Sequence, residues 1–433
     1  MPIREVSARN PFAANSGRIV ASALTLAVFW LLTAPFVREP AERFYLVIPW
    51  VYAASVLWLV AAGERRAALR RGLIVAGLAL GLLAIHLYER YRPSAVLAEG
   101  EITVFAYGAV AMLLVADVLY RVVGAGVRRV LRVKPDAPPK RAFAARIAAL
   151  LVFSVLLVGY LMAELQIHFP KRRASATPQV LHRAFETVHF PSRDGLMLAG
   201  WFVPVEDAER TAIVCHGVGA EKSDMIDFID ALTAGGFNVL AFDFRGHGAS
   251  AGHTVSYGAR EKGDIEGAID WVRATHPAGA RRIVGVGWSM GAASLILAAA
   301  EDERIEALHI DAAYARTRDI ARVIAGQFPP VYRHVGYYLG LCVASLEART
   351  NLFTLAPVNA VARIAPRPIL IVHGEADELI PIAQGRMIFA AAGAPKSFVA
   401  IPGAGHCGTI AVDTPDYQRR MLDFLNGALA AQD

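Results

Sequence analysis

The sequence predicts two unlike parts: an all-α bundle of about five transmembrane helices, then an α/β domain with a mainly parallel sheet and helices on both faces. Three observations carry this. Long uncharged apolar stretches crowd the chain before residue 165. Beyond about Thr187, short strand-like apolar runs alternate with amphipathic helical ones, as strands joined by crossover helices do. Hydrophobic residues make up 55% and charged residues 19% of the 433-residue chain, on the membrane side of soluble usage and long enough for more than one domain.

The apolar stretches run over 19–37, 44–62, 72–88, 102–120 and 143–163. Each approaches the roughly 20 residues that a helix needs to cross the hydrocarbon core. Asp117 and Arg146 are the only charges within them, and Asp117, near a stretch's end, reads as facing the interface. The third stretch is the shortest and carries His86. Arg18 ahead of the first stretch suggests a signal peptide, but further apolar runs follow and no small-x-small cleavage site appears, so a retained helix is expected.

Loop charges set the expected orientation. Arg4, Arg9 and Arg18 precede the first stretch, Arg65, Arg66, Arg70 and Arg71 follow the second, and Arg121 to Arg141 follow the fourth. The alternate loops hold only Arg38 and Arg43, or Arg90 and Arg92. The positive-inside rule then puts the N-terminus in the cytoplasm of a plasma or inner membrane. Five crossings carry the C-terminal domain to the outer side, against the pull of Lys171, Arg172 and Arg173. One crossing fewer reverses this. Membrane lipid is thus an expected partner. The net charge of +6 follows from these loops, and nothing interleaves basic and aromatic residues as nucleic-acid binding would require. Cys215, Cys342 and Cys407 form no CxxC pair and no disulfide framework.

In the second part, Asp194-Gly195 reads as a hairpin turn between strands at 189–190 and 198–203. A buried strand at 212–215 ends at His216-Gly217. Ile226, Ile229 and Leu232 then recur at helical spacing until Gly235-Gly236. A strand at 238–242 ends at Asp243. Ile265, Ala268, Ile269 and Val272 mark a second helix, and strands at 282–286, 307–310, 369–372 and 398–401 complete the set.

The chemistry starts at Gly287-Trp288-Ser289-Met290-Gly291, between a strand and an alanine-rich helical run at 292–300. A serine on so sharp a turn is exposed for attack, and its flanking glycines leave room for the neighbouring backbone. The alternative is an ordinary helix N-cap serine. A nucleophilic serine needs a base, and the base an orienting acid. Asp377, after the strand at 369–372, suits the acid; Glu375 and Asp311 are rivals. His406, after the last strand, suits the base. His216, His247 and His373 precede glycines at turns and read as structural. The amides of Met290 and Val218 are expected to form the oxyanion hole. No Lys-Ser or Lys-Thr pair follows the 216–219 loop in phosphate-loop spacing.

Taken together, His216-Gly217, Asp243-Phe244-Arg245-Gly246-His247-Gly248-Ala249-Ser250, Gly287 to Gly291, His373 to Asp377 and Gly405-His406 resemble the α/β-hydrolase superfamily. They are most similar to its esterase, monoacylglycerol-lipase and serine-aminopeptidase-like branch. The resemblance spans about 187–425 and departs from the usual pattern at Ala292, where many members have glycine. It implies an α/β-hydrolase fold, a Ser289–His406–Asp377 triad, a structural Asp243 and neither metal nor organic cofactor. The domains expected are 1–170 and 171–433, with a lid at about 312–366, since some sixty residues exceed a plain connection. Phe328, Tyr332, Tyr337, Tyr338, Leu339, Leu341 and Phe353 give the lid an apolar character. The expected function is membrane-anchored hydrolysis of apolar acyl esters. A peptidase or thioesterase with the same triad, or a receptor or scaffold without catalysis, are the alternatives; oligomeric state is not specified.

Overall fold

The computed structural model describes residues 123–133, scattered positions within 141–169, and 171–431 apart from 327–329 and 413. The apolar stretches at 19–37, 44–62, 72–88 and 102–120 lie outside the described residues, and that at 143–163 is described only in part. Among the described residues no helix is long and apolar enough to cross a membrane. The chain divides into two compact units, Met1–Val155 and Leu156–Asp433. Ala163, at the end of the fifth apolar stretch, and Ile167, beyond it, are fully buried in the core of the second unit. The Ile167 carbonyl accepts from the Val255 amide at 2.9 Å, and the Gln166 carbonyl accepts from the Tyr257 hydroxyl at 2.6 Å.

This unit is an α/β-hydrolase fold on one eight-stranded sheet, in the order β1-β2-β4-β3-β5-β6-β7-β8. The strands are β1 Glu186–Pro191, β2 Met197–Val203, β3 Arg210–Cys215, β4 Asn238–Phe242, β5 Arg282–Trp288, β6 Ala307–Asp311, β7 Ile369–Gly374 and β8 Lys396–Ile401. β1 and β2 form an antiparallel hairpin closed by Gly195 at φ 83°, and β2 also runs antiparallel to β4. Every other pairing is parallel.

The two-residue period of the strands divides their side chains between two cores. Ile213, Cys215, Leu240 and Phe242 enter one, with Ile265, Ala268, Ile269 and Val272 of the helix Glu261–Thr275. Ala212, Val214, Val239 and Ala241 enter the other, with Phe228, Ile229 and Leu232 of Ile226–Ala234 and Met421 and Leu425 of Thr414–Ala430. Helices therefore cover both faces, as parallel strands buried on both sides require.

Between β6 and β7 lie the helices Thr317–Gly326, Pro330–Val335 and Leu341–Glu347, with a π turn at Gly336–Gly340. The ends of the expected lid belong instead to the core. Ala313, Tyr314 and Ala315 are buried at one end, and Val361 and Ile364 at the other. Tyr337 and Leu341 also pack into the core, whereas Tyr338 and Leu346 face outward.

Gly267, inside the helix Glu261–Thr275, tests this packing. Alanine is the better helix former by about 1 kcal/mol. A Cβ there would meet the Pro191 carbonyl oxygen at 2.4 Å and the Ser192 Cα at 2.8 Å, and overpacking costs about 1–3 kcal/mol. Gly267→Ala is expected to lower unfolding free energy in urea; equal or higher stability would show that the helix does not press on the end of β1.

Candidate active site

The turn after β5 is as sharp as its glycines suggest. Ser289 sits at φ 52°, ψ −119°, ahead of the helix Met290–Ala299. Holding a non-glycine residue there costs of order 1–3 kcal/mol and requires support from its surroundings. That support includes very close approach to the end of β3. A Cβ on Gly291 would lie 2.2 Å from the Cys215 carbonyl oxygen, and one on Gly287 would lie 3.0 Å from the same oxygen. Across the gap, a Cβ on Gly217 would lie 3.2 Å from the Ser289 Cβ.

Ser289, His406 and Asp377 come together from three chain segments. Ser289 Oγ donates to His406 Nε2 at 3.0 Å, and His406 Nδ1 donates to Asp377 Oδ2 at 2.8 Å. The Asp377 side chain is fully buried, while 22% of the His406 side chain is exposed. Asp377 Oδ1 accepts from the amides of Leu379 and Ile380 at 3.0 and 2.7 Å. His373 Nε2 donates to the Ile380 carbonyl at 2.7 Å and lies 3.5 Å from Asp377 Oδ2. Burial pushes the Asp377 carboxyl up, but hydrogen bonds from His373, His406 and the Ile380 amide outweigh it and hold the group well below the carboxylate range. Neither rival acid bonds to the His406 ring. Glu375 is exposed, and Asp311 bonds to Thr409 and Tyr417.

The loop after β3 is fixed from two sides. His216 Nδ1 donates to the Gly217 carbonyl at 2.7 Å, and its Nε2 accepts from the Phe244 amide at 3.0 Å. His247 Nδ1 donates to the Arg245 carbonyl at 2.9 Å, and its Nε2 accepts from the Gly219 amide at 3.1 Å. Both rings therefore act as neutral imidazoles. Burial, with His247 alongside, lowers His216 to about 3, and burial lowers His247 too. Phe169 stacks on His247 at 6.3 Å. Val218, half-buried in this loop, precedes Gly219 at φ 71°. Met290 opens its helix, so its amide lacks an intrahelical acceptor.

Asp243 is buried and fully bonded, and its partner was not foreseen. It accepts from Lys222 Nζ at 2.6 Å, from the Lys222 amide at 2.9 Å and from the Ala249 amide at 2.8 Å. The Lys222 ammonium is buried and lies 4.8 Å from the Trp201 ring centre. A buried lysine has no local pattern of its own, although Glu221 and Asp224 have capping-box spacing and do form that box. Arg245 is gripped by Asp264 and Asp194, including contacts of 2.6 and 2.8 Å. Thr409, Tyr417 and Phe169 likewise escaped the sequence reading, because only the folded chain brings them here.

Comparisons agree with this architecture. Residues 212–417 match the alpha/beta hydrolase family. The uncharacterized protein YfhR of Escherichia coli is 30% identical over 256 residues, covering 57% of this chain and 82% of YfhR. The alpha/beta hydrolase domain-containing protein WAV2 of Arabidopsis thaliana is 27% identical over 262 residues, covering 58% and 81%. Among solved structures, the Pyrococcus furiosus esterase Pf2001 superimposes with a TM-score of 0.51 at 23% identity, over 60% of this chain and 97% of that one, a likeness of fold.

The buried histidines predict which groups stay neutral on acidification. Burial lowers His309 to about 4 and His216 to about 3. Below about pH 6.5 unfolded histidines take up protons that these folded ones refuse, so their contribution to stability is lost as pH falls through that window. Asp311 and Asp264, pushed up to about 6 and about 7, work the other way, binding their protons more readily when folded, and offset that loss. The His216 and His309 imidazoles are expected to stay neutral in the folded chain at pH 5; ring-nitrogen NMR checks it, and a protonated ring at either position at pH 5 contradicts it.

Proposed function

The chain belongs to the alpha/beta hydrolase family, and from that premise we propose that it is a membrane-anchored serine hydrolase acting on ester or related acyl bonds. The observation that carries the reading is the unbroken line from Ser289 Oγ through His406 to Asp377, at 3.0 and 2.8 Å. Ser289 attacks the acyl carbonyl while His406 Nε2 takes its proton. Asp377 holds the proton on Nδ1 and stabilises the imidazolium that forms. The amides of Val218 and Met290 receive the developing oxyanion. His406 then protonates the leaving group, and water, activated by the same histidine, hydrolyses the acyl-enzyme.

Apolar, lipid-like esters are the favoured substrates. The outward Tyr338 and Leu346 of the lid segment, 61% and 73% exposed, support this, as does membrane attachment. A peptidase or thioesterase would use the same groups; a non-catalytic receptor would have no use for an aligned triad.

A serine-directed fluorophosphonate is expected to label the wild-type chain on Ser289. Ser289→Ala is expected to lose both the label and ester hydrolysis, by about 10⁴-fold or more. More than a few per cent of wild-type turnover in that variant would remove Ser289 from its role.

The anchoring reading rests on the apolar stretches, and the side of the membrane on their number. Five crossings from a cytoplasmic N-terminus put the hydrolase domain on the outer side. An alkaline phosphatase fused after Asp433 is expected to be active, and a fluorescent protein that matures only in the cytoplasm to stay dark. A bright fluorescent fusion would remove one crossing and place the hydrolase in the cytoplasm.

A further inference from the structure

Asp311 ends β6, between the strand that leads to Ser289 and the strand that leads to Asp377. Its backbone carbonyl accepts from the Ser289 amide at 2.8 Å, and the next amide, of Ala312, donates to the Val372 carbonyl at 3.0 Å. The side chain turns to a third segment. Oδ2 accepts from the Thr409 hydroxyl and, at 2.8 Å, from the Tyr417 hydroxyl. Thr409 lies three residues after His406, and Tyr417 lies on the helix Thr414–Ala430, where it packs edge-on against Phe228 and His309. Asp311 is fully buried, and its Oδ1 has no hydrogen-bond partner. An apolar residue would fill this place without a buried unsatisfied oxygen, so packing alone does not explain an acid here.

We propose that Asp311 is a positioning residue of this site, locking the loop that carries His406 to the turn that carries Ser289. One residue holds both. Its main chain fixes the height of the serine turn, and its carboxylate fixes the far side of the histidine loop through Thr409. The proton-transfer distance between Ser289 Oγ and His406 Nε2, 3.0 Å here, is then set from outside the triad. The ionisable groups around the carboxylate are His373 from the end of β7, His406 and Cys407 from the loop after β8, and Tyr417 from the last helix. This inference rests on the hydrolase reading above, because misplacing His406 matters only if it acts on Ser289.

The test uses the full-length chain, a p-nitrophenyl ester and the fluorophosphonate probe. Thr409→Val keeps the shape and removes the donor. It is expected to lower kcat by about tenfold with KM within about twofold, since geometry reached in the transition state is lost and substrate binding is not. Thr409→Ser restores the donor and is expected to recover kcat to within about twofold. Asp311→Leu removes the acceptor at similar volume and should lower kcat at least as much. Adding Thr409→Val to it should then cost little more, because both changes break the same contact. Fluorophosphonate labelling of Ser289 should slow in parallel with kcat. Wild-type kcat in Thr409→Val, a Thr409→Ser variant no better than the valine, or losses that multiply in the double variant would overturn the proposal. If Asp311→Leu does not fold, the valine–serine pair still decides it. A wild-type chain that the probe does not label on Ser289 would sink the hydrolase reading itself, a result distinct from labelled wild type with indifferent Thr409 variants.

Discussion

The backbone of Ser289, held at φ 52°, ψ −119°, is a constraint to which its surroundings are fitted. A residue in so sparsely populated a conformation persists only if its neighbours over-determine it. Here they do so by proximity. The turn sinks until Gly291 lies against the Cys215 and His216 carbonyls, where a Cβ would overlap both. Glycine at 287, 291 and 217 is therefore a statement about distance between two parallel strand ends. The same approach brings the loop after β3 beside Ser289, so one tight turn fixes both the hydroxyl and the loop that faces it.

That loop is polar backbone in an almost dry setting, and its order comes from saturating donors and acceptors. His216 and His247 each spend one ring nitrogen as donor and the other as acceptor, which a protonated imidazole could not do. Asp243 joins the loop's far end at Lys222 to the Ala249 amide. Breaking one side of such a buried pair leaves an uncompensated charge and is far worse than never having had it. The run from Asp243 to Ser250 is thus a frame: its side chains are tied to the loop after β3, the β1–β2 hairpin, the helix Glu261–Thr275 or the run itself.

Much of this was legible in the sequence, for local reasons. β4 spans 238–242 as its apolar run suggests, and the elbow, Asp377 and His406 follow strand ends that periodicity locates. Features that depend on remote partners were not legible. Lys222 looks like a surface lysine until Asp243 arrives from 21 residues away. Thr409 and Tyr417 meet Asp311 across about 100 positions. The end of the fifth apolar stretch shows a different limit. A small residue such as Ala163, buried in the hydrolase core, suits a lipid-facing helix and a packed core equally well, so hydropathy cannot say which solvent removes it from water. The segment 312–366 shows the same limit: its length and aromatic content say nothing of which residues pack inward, and Tyr314 and Val361 at its ends are buried.

Asp377 and Asp311 show how one fold gives two neighbouring carboxylates different tasks. Both end or follow parallel strands, both lie beside His406, and burial pushes both up. What separates them is the count and kind of donors. Asp377 receives two backbone amides on one oxygen and His406 on the other, with His373 close by. That environment favours the charged form strongly enough to overcome desolvation. Asp311 receives two hydroxyls on a single oxygen and nothing on the other, and is pushed up to about 6. The group that stays ionised over the wider pH range is the one placed to orient the histidine, and the less stabilised one is left to hold loops. Environments that drive two carboxyls apart in this way assign roles that residue type alone leaves open.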